Sequence, residues 1–421
     1  MATYNAHTHV FTMSNAPKKF LHLYLPDVAA WAIDKISNTQ PGSWALQQLL
    51  SLIGPAGKRY AGFLKIGKSR NQLEVFENLI AQYTDDPEIK FIALCLYMEN
   101  FGAGISSSGY EGQLEEILYA KRQYPEQLRI FLGIDPRWKA NGTELRCTVE
   151  SYFEKKIDMG GGRQCNSFQG LKIYPSTGFY VFDQRLMETF EWAADQGVPV
   201  LSHCYYRGGI YNNDKSFLES NMNPFNPYTN NVHLPGKYLQ SRKWKKWIWG
   251  INDSYNNKNT CSYFLDPSTY EPVIQYFQNQ PKPLKISMAH YGGSEMMLIS
   301  KGLKKPDAEE AALYGAFQLN WYEQVKNMML KYKGVYTDIA YTLLDERVHP
   351  IIFQDLATPG LSDRILYGTD YFLTEKDRAE KQTYSTFKKH ALAISYPTGG
   401  NAWQRISSEN TDVFLGTRFN P

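Results

Sequence analysis

Short apolar runs that end on a polar or ionisable residue recur along this chain, with longer mixed stretches between them. That alternation limits the fold more than any other feature. The runs are Tyr4 to Phe11, Phe91 to Met98, Arg129 to Asp135, Gly170 to Tyr174, Val200 to Cys204, Lys285 to His290, Val335 to Tyr341 and Ile365 to Tyr371. Strand-length runs separated by helix-length ones are what βα units building a parallel sheet look like. Apolar residues spaced three and four apart predict helices over Gln72 to Tyr83, Tyr110 to Tyr124, Gln184 to Gln196, Pro267 to Asn279, Asn320 to Tyr332 and Val348 to Leu356. Asp135-Pro136, Tyr174-Pro175 and Tyr291-Gly292-Gly293 stop their runs sharply, as βα loops require. Eight strands in this pattern predict an α/β fold, a (β/α)8 TIM barrel forming a single domain over residues 1–421.

Two stretches exceed the minimal repeat. The first lies between Phe11 and Phe91, contains Pro41-Gly42 and Gly54-Pro55, and predicts one or more extra helices after the first strand. The second, residues 205–283, is rich in Asn, Tyr and Trp, as in Tyr211-Asn212-Asn213-Asp214 and Ser254-Tyr255-Asn256-Asn257. A long insertion after the fifth strand of a barrel reads as a lid or substrate wall, with a plain surface excursion as the alternative.

Charge and cysteine usage narrow the partners. The chain has 45 basic and 42 acidic residues, and its one dense basic cluster, Arg242-Lys243-Trp244-Lys245-Lys246-Trp247, reads as a solvated helix face with the tryptophans turned inward. No nucleic-acid partner is expected. The five cysteines are widely spaced without a C-x-x-C pair, which predicts neither a disulfide framework nor a zinc ribbon. The opening MATYNAHTHVF has no basic or apolar leader, and no apolar run is of membrane length, so a cytoplasmic location without membrane contact is the expectation.

The chemistry concentrates at the ends of the runs. His7 and His9 lie two apart in a strand, and strand side chains alternate, so both imidazoles point to one side and can ligate one metal. His203 ends the fifth run and His290 the sixth, each alone at a strand's carboxyl edge. Asp370 ends the last run, Ile365-Leu366-Tyr367-Gly368-Thr369-Asp370, where Gly368 lets the backbone approach a neighbour closely. A carboxylate at the end of an apolar strand is costly to bury without a partner. Asp370 reads as a metal ligand that also serves as general base, or else as a turn or capping residue. Cys204 follows His203 directly and faces away from it, and no G-x-S-x-G or phosphate loop is present.

Taken in order, His7, His9, His203, His290 and Asp370 form a candidate metal-ligand set at one barrel end, and this pattern resembles the amidohydrolase superfamily. More narrowly, the chain is similar to the amidohydrolase-related family that includes aminocarboxymuconate-semialdehyde decarboxylase and related lactonases. The likeness rests on Asn5-Ala6-His7-Thr8-His9 at the start of the chain, Phe168-Gln169-Gly170-Leu171-Lys172-Ile173-Tyr174-Pro175, Ala289-His290-Tyr291-Gly292-Gly293, Gly368-Thr369-Asp370 and the closing Glu409-Asn410-Thr411-Asp412-Val413-Phe414-Leu415-Gly416. The resemblance implies that His7 and His9 are metal ligands, His203 a ligand or near-ligand, His290 an orienting or electrophilic residue, and Asp370 ligand and base. Asn5 departs from the acidic residue many relatives carry there.

Lys172, on the fourth run, is either an ordinary ammonium that binds a substrate carboxylate or, as the resemblance allows, a carbamylated lysine bridging a second metal. One divalent ion and an unmodified lysine is the favoured expectation, with zinc as the ion and manganese, iron or cobalt open. Arg137, Tyr97 and Tyr341 fall at strand ends as candidate substrate contacts, together with Asp135, Glu99 and Asp338. The expected activity is metal-dependent hydrolysis of an ester, lactone or amide bond in a small molecule, with catalytic roles for Asp370, His290 and Lys172. The alternatives are non-oxidative decarboxylation of a small carboxylic acid, making the protein a lyase, or a non-catalytic protein that retains a metal. The 30 Tyr and 9 Trp leave open both ring-stacking surfaces for the substrate and an aromatic homodimer face.

Overall fold

The computed structural model describes residues 2–20, 69–206, 212–234, 261–308, 310–311, 320–397 and 399–420. The extra helices expected after the first strand fall largely on residues 21–68, and the basic cluster falls on 242–247; both lie outside the described residues, as do 207–211 and 235–260 of the insertion.

Each apolar run forms a strand: β1 Tyr4–Thr8, β2 Lys90–Leu94, β3 Leu128–Ile134, β4 Gly170–Ile173, β5 Val200–Ser202, β6 Ile286–Met288, β7 Val335–Asp338 and β8 Ile365–Leu366. They pair in parallel in sequence order into one eight-stranded sheet. The sheet closes where β8 meets β1. There Ala6 N–H donates to Tyr367 O at 2.7 Å, Asp370 N–H to His7 O at 2.9 Å and His9 N–H to Tyr371 O at 2.6 Å. The architecture is a (β/α)8 TIM barrel.

Helices alternate with the strands: α1 Gln72–Ile80, α2 Gly109–Gln123, α3 Gly142–Glu154, α4 Met187–Gln196, α5 Glu271–Gln278, α6 Trp321–Lys331, α7 His349–Leu356 and α8 Glu380–Leu392. Their starts are written locally. Asn71, Asn141 and Asn320 accept backbone N–H bonds from the first turns of α1, α3 and α6 through their side chains. Asp183 and Asp266 start short 3-10 turns leading into α4 and α5. The predicted helices form, and α3 and α8 are additional to them.

The packing has two parts. Val75, Phe76, Leu114, Ile117, Leu145, Phe190 and Phe387 of the helices bury against strand residues such as Phe91, Ile130, Leu171, Val200 and Ile365. A separate cluster joins Ala6, Ile92, Leu94, Phe131, Leu201 and Leu366 with Phe414 and Leu415 of the closing segment. Lys285, immediately before β6, fastens that segment by donating to Phe414 O at 2.8 Å and Gly416 O at 3.0 Å. The closing segment therefore seals the amino-terminal end, leaving the carboxyl end for the site.

Within 205–283 the described part includes a short helix, Lys215–Ser220, a small hairpin and α5. Asn212 donates to Asn100 O and Thr177 O at 2.9 Å, and Tyr180 Oη donates to Met222 O at 3.2 Å. These bonds dock this part of the insertion on the loops after β2 and β4.

Candidate metal centre

Barrel closure carries the first and last strands' functional residues together. An ideal Cβ on Gly368 would lie 2.6 Å from His7 Cβ, so only glycine lets β8 come this close to β1. The register of β1 against β2 shifts between Asn5 and Thr8. With that irregularity Asn5 meets Tyr83 and Glu380 from the helical layer, while His7 meets Asp338 and Asp370. The ends of β6, β7 and β8 then turn through left-handed backbone at His290 (φ 71°), Tyr291 (φ 48°), Tyr341 (φ 61°) and Asp370 (φ 66°). Each such residue costs on the order of 1–3 kcal/mol and persists only where the surroundings hold it.

Hydrogen bonds set the imidazole tautomers. A carbonyl oxygen only accepts, so His9 Nδ1 donates to Leu94 O at 3.1 Å and His290 Nδ1 donates to Ala340 O at 2.9 Å. His7 Nδ1 donates to Asp338 Oδ2 at 2.9 Å. The Nε2 of all three is thereby a lone-pair atom. His290 Nε2 receives a bond from His203 Nδ1 at 3.0 Å.

The other two lone pairs converge on a carboxylate. His7 Nε2 lies 3.5 Å and His9 Nε2 3.4 Å from Asp370 Oδ1. His7 Nε2 and Asp370 Oδ1 are buried with no hydrogen-bond partner among the described residues. Three acceptors facing one another repel unless a cation lies between them. Donors about 2.0–2.1 Å from a tetrahedral zinc sit about 3.3–3.4 Å apart, so the observed spacing fits one ion. His7, His9 and Asp370 thus form a candidate metal-ligand group, with donor atoms all within 4.8 Å of one another. A second candidate group joins His7, His290 and Asp338. Asp338 is already committed, however, because its Oδ1 takes the N–H groups of His290 and Ala340, both at 3.0 Å.

The electrostatics suit ligation. Burial holds the imidazoles of His7, His203 and His290 below the usual histidine range, which keeps them neutral. Burial alone would raise both carboxyls, but the histidines more than offset it: Asp338 is held down to about 2, chiefly by His7, and Asp370 lies well below the ordinary range. Lys172, on β4, is buried, with Nζ lacking a hydrogen-bond partner among the described residues and 5.6 Å from the Tyr174 ring centroid. Burial pushes its ammonium down to about 8, against the pull of Asp338 and Asp370.

The remaining sequence candidates divide. His203 belongs to neither ligand group and reaches the cluster through His290, its ring stacked at 4.6 Å on Tyr174. Arg137 turns its guanidinium onto an internal carboxylate: Nε donates to Asp135 Oδ1 at 2.7 Å, and Nη2 donates to Asp135 Oδ2 and to Thr177 Oγ1. Glu99 caps α2 by accepting Tyr110 N–H at 3.0 Å. Tyr97 packs on Tyr110 and Trp138. Tyr341 stands at the mouth, 6.3 Å from the Tyr205 ring, with its hydroxyl donating to Asp377 at 2.9 Å. Tyr205, 5.8 Å from the His290 ring, is absent from the sequence candidates although it lies only two residues after His203. The task of Asp338, orienting His7 across 331 residues, has no local sequence signal.

Fold and cluster together define a parallel βα barrel with a candidate metal centre at its carboxyl mouth. No protein-family model matches the chain, and no curated protein matches it in sequence. Among solved structures it is similar to a TIM-barrel protein of Bordetella bronchiseptica, at 13% identity and TM-score 0.49, covering 99% of this chain and 98% of that one. It is similar also to 5-carboxyvanillate decarboxylase of Sphingomonas paucimobilis, at 11% identity and TM-score 0.49, covering 99% of both chains. An amidohydrolase of Burkholderia multivorans with bound zinc aligns at 8% identity and TM-score 0.49, over 99% of this chain and all 100% of that one.

Proposed function

We propose that this protein is a metal-dependent enzyme of the amidohydrolase-related type that hydrolyses an ester, lactone or amide bond of a small molecule. The observation that carries the reading is the convergence of His7 Nε2, His9 Nε2 and Asp370 Oδ1 at the mouth of the barrel, the first and last of them buried without a hydrogen-bond partner among the described residues. The H-x-H strand and the Gly-Thr-Asp strand of the sequence support the same assignment.

In this proposal His7, His9 and Asp370 hold one divalent ion, with zinc favoured by the nitrogen-rich donor set. When bound, such an ion supplies positive charge that polarises a carbonyl oxygen and acidifies water. Asp338 holds the His7 ring in the tautomer that presents Nε2. Asp370, whose carboxyl lies well below the ordinary carboxylate range, accepts the proton of the attacking water. His290, its Nδ1 donating to Ala340 O and its Nε2 accepting from His203, serves in this proposal as an orienting residue beside the cluster. Tyr205, Tyr341 and the docked part of 205–283 supply the walls. Incubating the zinc-loaded protein with a panel of lactones, esters and amides tests the reading: turnover that Asp370→Asn abolishes supports it, and full turnover by that variant refutes the assigned base.

The buried Lys172 Nζ, without a hydrogen-bond partner among the described residues, favours a second reading, decarboxylation. An unmodified ammonium beside the ion can hold a substrate carboxylate, and carbon dioxide release in the same screen distinguishes this from hydrolysis. A carbamylated Lys172 would instead hold a second metal.

A further inference from the structure

Behind the ligands, on the helical side of the barrel wall, a buried polar network joins three distant parts of the chain. Asn5, Thr369 and Glu380 are wholly buried, and Tyr83 is 1% exposed. Thr369 Oγ1 donates to Glu380 Oε1 at 2.7 Å, Asn5 Nδ2 donates to Thr369 Oγ1 at 2.8 Å, and the Tyr83 hydroxyl donates to Glu380 Oε1 as well. Asn5 Nδ2 also lies 2.9 Å from Tyr83 Oη and 3.2 Å from Glu380 Oε1. The Asn5 amide oxygen accepts two backbone N–H groups, that of His7 at 3.3 Å and that of Thr369 at 3.2 Å. One atom therefore grips the backbone of a histidine in the cluster and of the residue directly before Asp370.

This grip sits at the seam where the barrel closes. β8 is only two residues long, and β1 meets its extension through one bridge, Thr8 to Tyr371, and the three backbone hydrogen bonds that close the sheet. Those bonds set the register of Asp370 against His7 and His9, and the Asn5–Thr369–Glu380 network braces the same seam through side chains. Glu380, at the first position of α8, gathers the hydroxyl of Thr369 and the amide of Asn5 onto one carboxylate oxygen, tying both strands to the helical layer.

We infer that Glu380 is a positioning residue for the His7–His9–Asp370 cluster: it touches none of the three, and acts through Thr369 and Asn5 to hold the two strands in the register at which their donor atoms converge. The inference rests on the proposed metal centre, and its test separates the two. The full-length protein, stripped and titrated with cobalt(II) against a chelator, is read by affinity and by its visible absorption spectrum, with thermal unfolding recorded alongside. Glu380→Ala and Thr369→Val are expected to weaken cobalt binding about tenfold or more and to alter the visible bands, the range usual for residues that orient metal ligands. Glu380→Gln and Thr369→Ser, which keep the acceptor oxygen and the hydroxyl, are expected to return the affinity to within a few-fold of the parent. Unchanged affinity and spectrum in a folded Glu380→Ala or Thr369→Val, whatever its melting temperature, would overturn the positioning role alone. A parent protein that binds no cobalt would overturn the metal centre and the inference together.

Discussion

Asp338 and His7 form a buried pair in which the carboxylate divides its work: Oδ2 accepts the Nδ1 proton of His7 at 2.9 Å, while Oδ1 takes the backbone N–H of His290. One side chain thus fixes the tautomer of an imidazole on β1 and the backbone of another at the end of β6. Asp338→Asn can offer an N–H to Nδ1 and so favours the wrong tautomer. Metal affinity is expected to fall about 10–100-fold with the fold retained, measured by chelator competition and circular dichroism.

Gly368→Ala would drive a Cβ against His7 Cβ, a backbone-anchored atom that cannot swing aside. Overpacking of this kind costs typically 1–3 kcal/mol, so the melting temperature drops. Separation of β8 from β1 should also remove metal binding, which a stripped and reloaded sample would show.

Lys172 is held at about 8, below its ordinary 10.5, so between those values the unfolded chain binds more protons than the folded one. Stability of the metal-free protein therefore rises with pH across that window, and at pH 7 the buried ammonium costs roughly 3 kcal/mol. Lys172→Met is expected to be the more stable protein at pH 7 by urea denaturation, with its advantage shrinking by pH 10.

For Glu380 the sign is opposite in pH. Burial raises its carboxyl from 4.5 to about 7, so the folded protein binds more protons between those values. The contribution is fully present below about pH 4.5 and is lost by about pH 7, an amplitude of roughly 3 kcal/mol. Glu380→Gln, always neutral, should lose nothing over that range, so its stability relative to the parent rises from pH 4.5 to 7 in denaturant titrations.

Much of this architecture is written locally. Runs such as Phe91 to Met98 are buried at every position from Phe91 to the end of the observed strand at Leu94, and they stand out because strands covered on both faces are continuously apolar. His7 and His9 are legible through the two-residue strand period, and Gly368 through its place beside a strand-end carboxylate. Helix α3 was legible too. Asn141 and Glu144 bond reciprocally at its start, and Leu145, Val149 and Phe153 recur every fourth residue; a capping-box search starting from Asn141 would have found it. Helix α8 is harder, since Glu380 to Leu392 is mostly polar. What cannot be read is assembled by closure. Asp338 meets His7, and Glu380 meets Asn5, only once the barrel brings the ends of the chain together. Arg137, free in the sequence to hold a substrate, is spent on Asp135 two residues away.

The most direct test of the account is metal content by inductively coupled plasma mass spectrometry on the purified protein, beside a double variant His7→Ala/His9→Ala. About one zinc or other divalent ion per chain in the parent and none in the variant is the predicted result. Two ions per chain would replace the unmodified Lys172 with a carbamylated bridge. No bound metal in the parent, even after reconstitution, would contradict the catalytic reading.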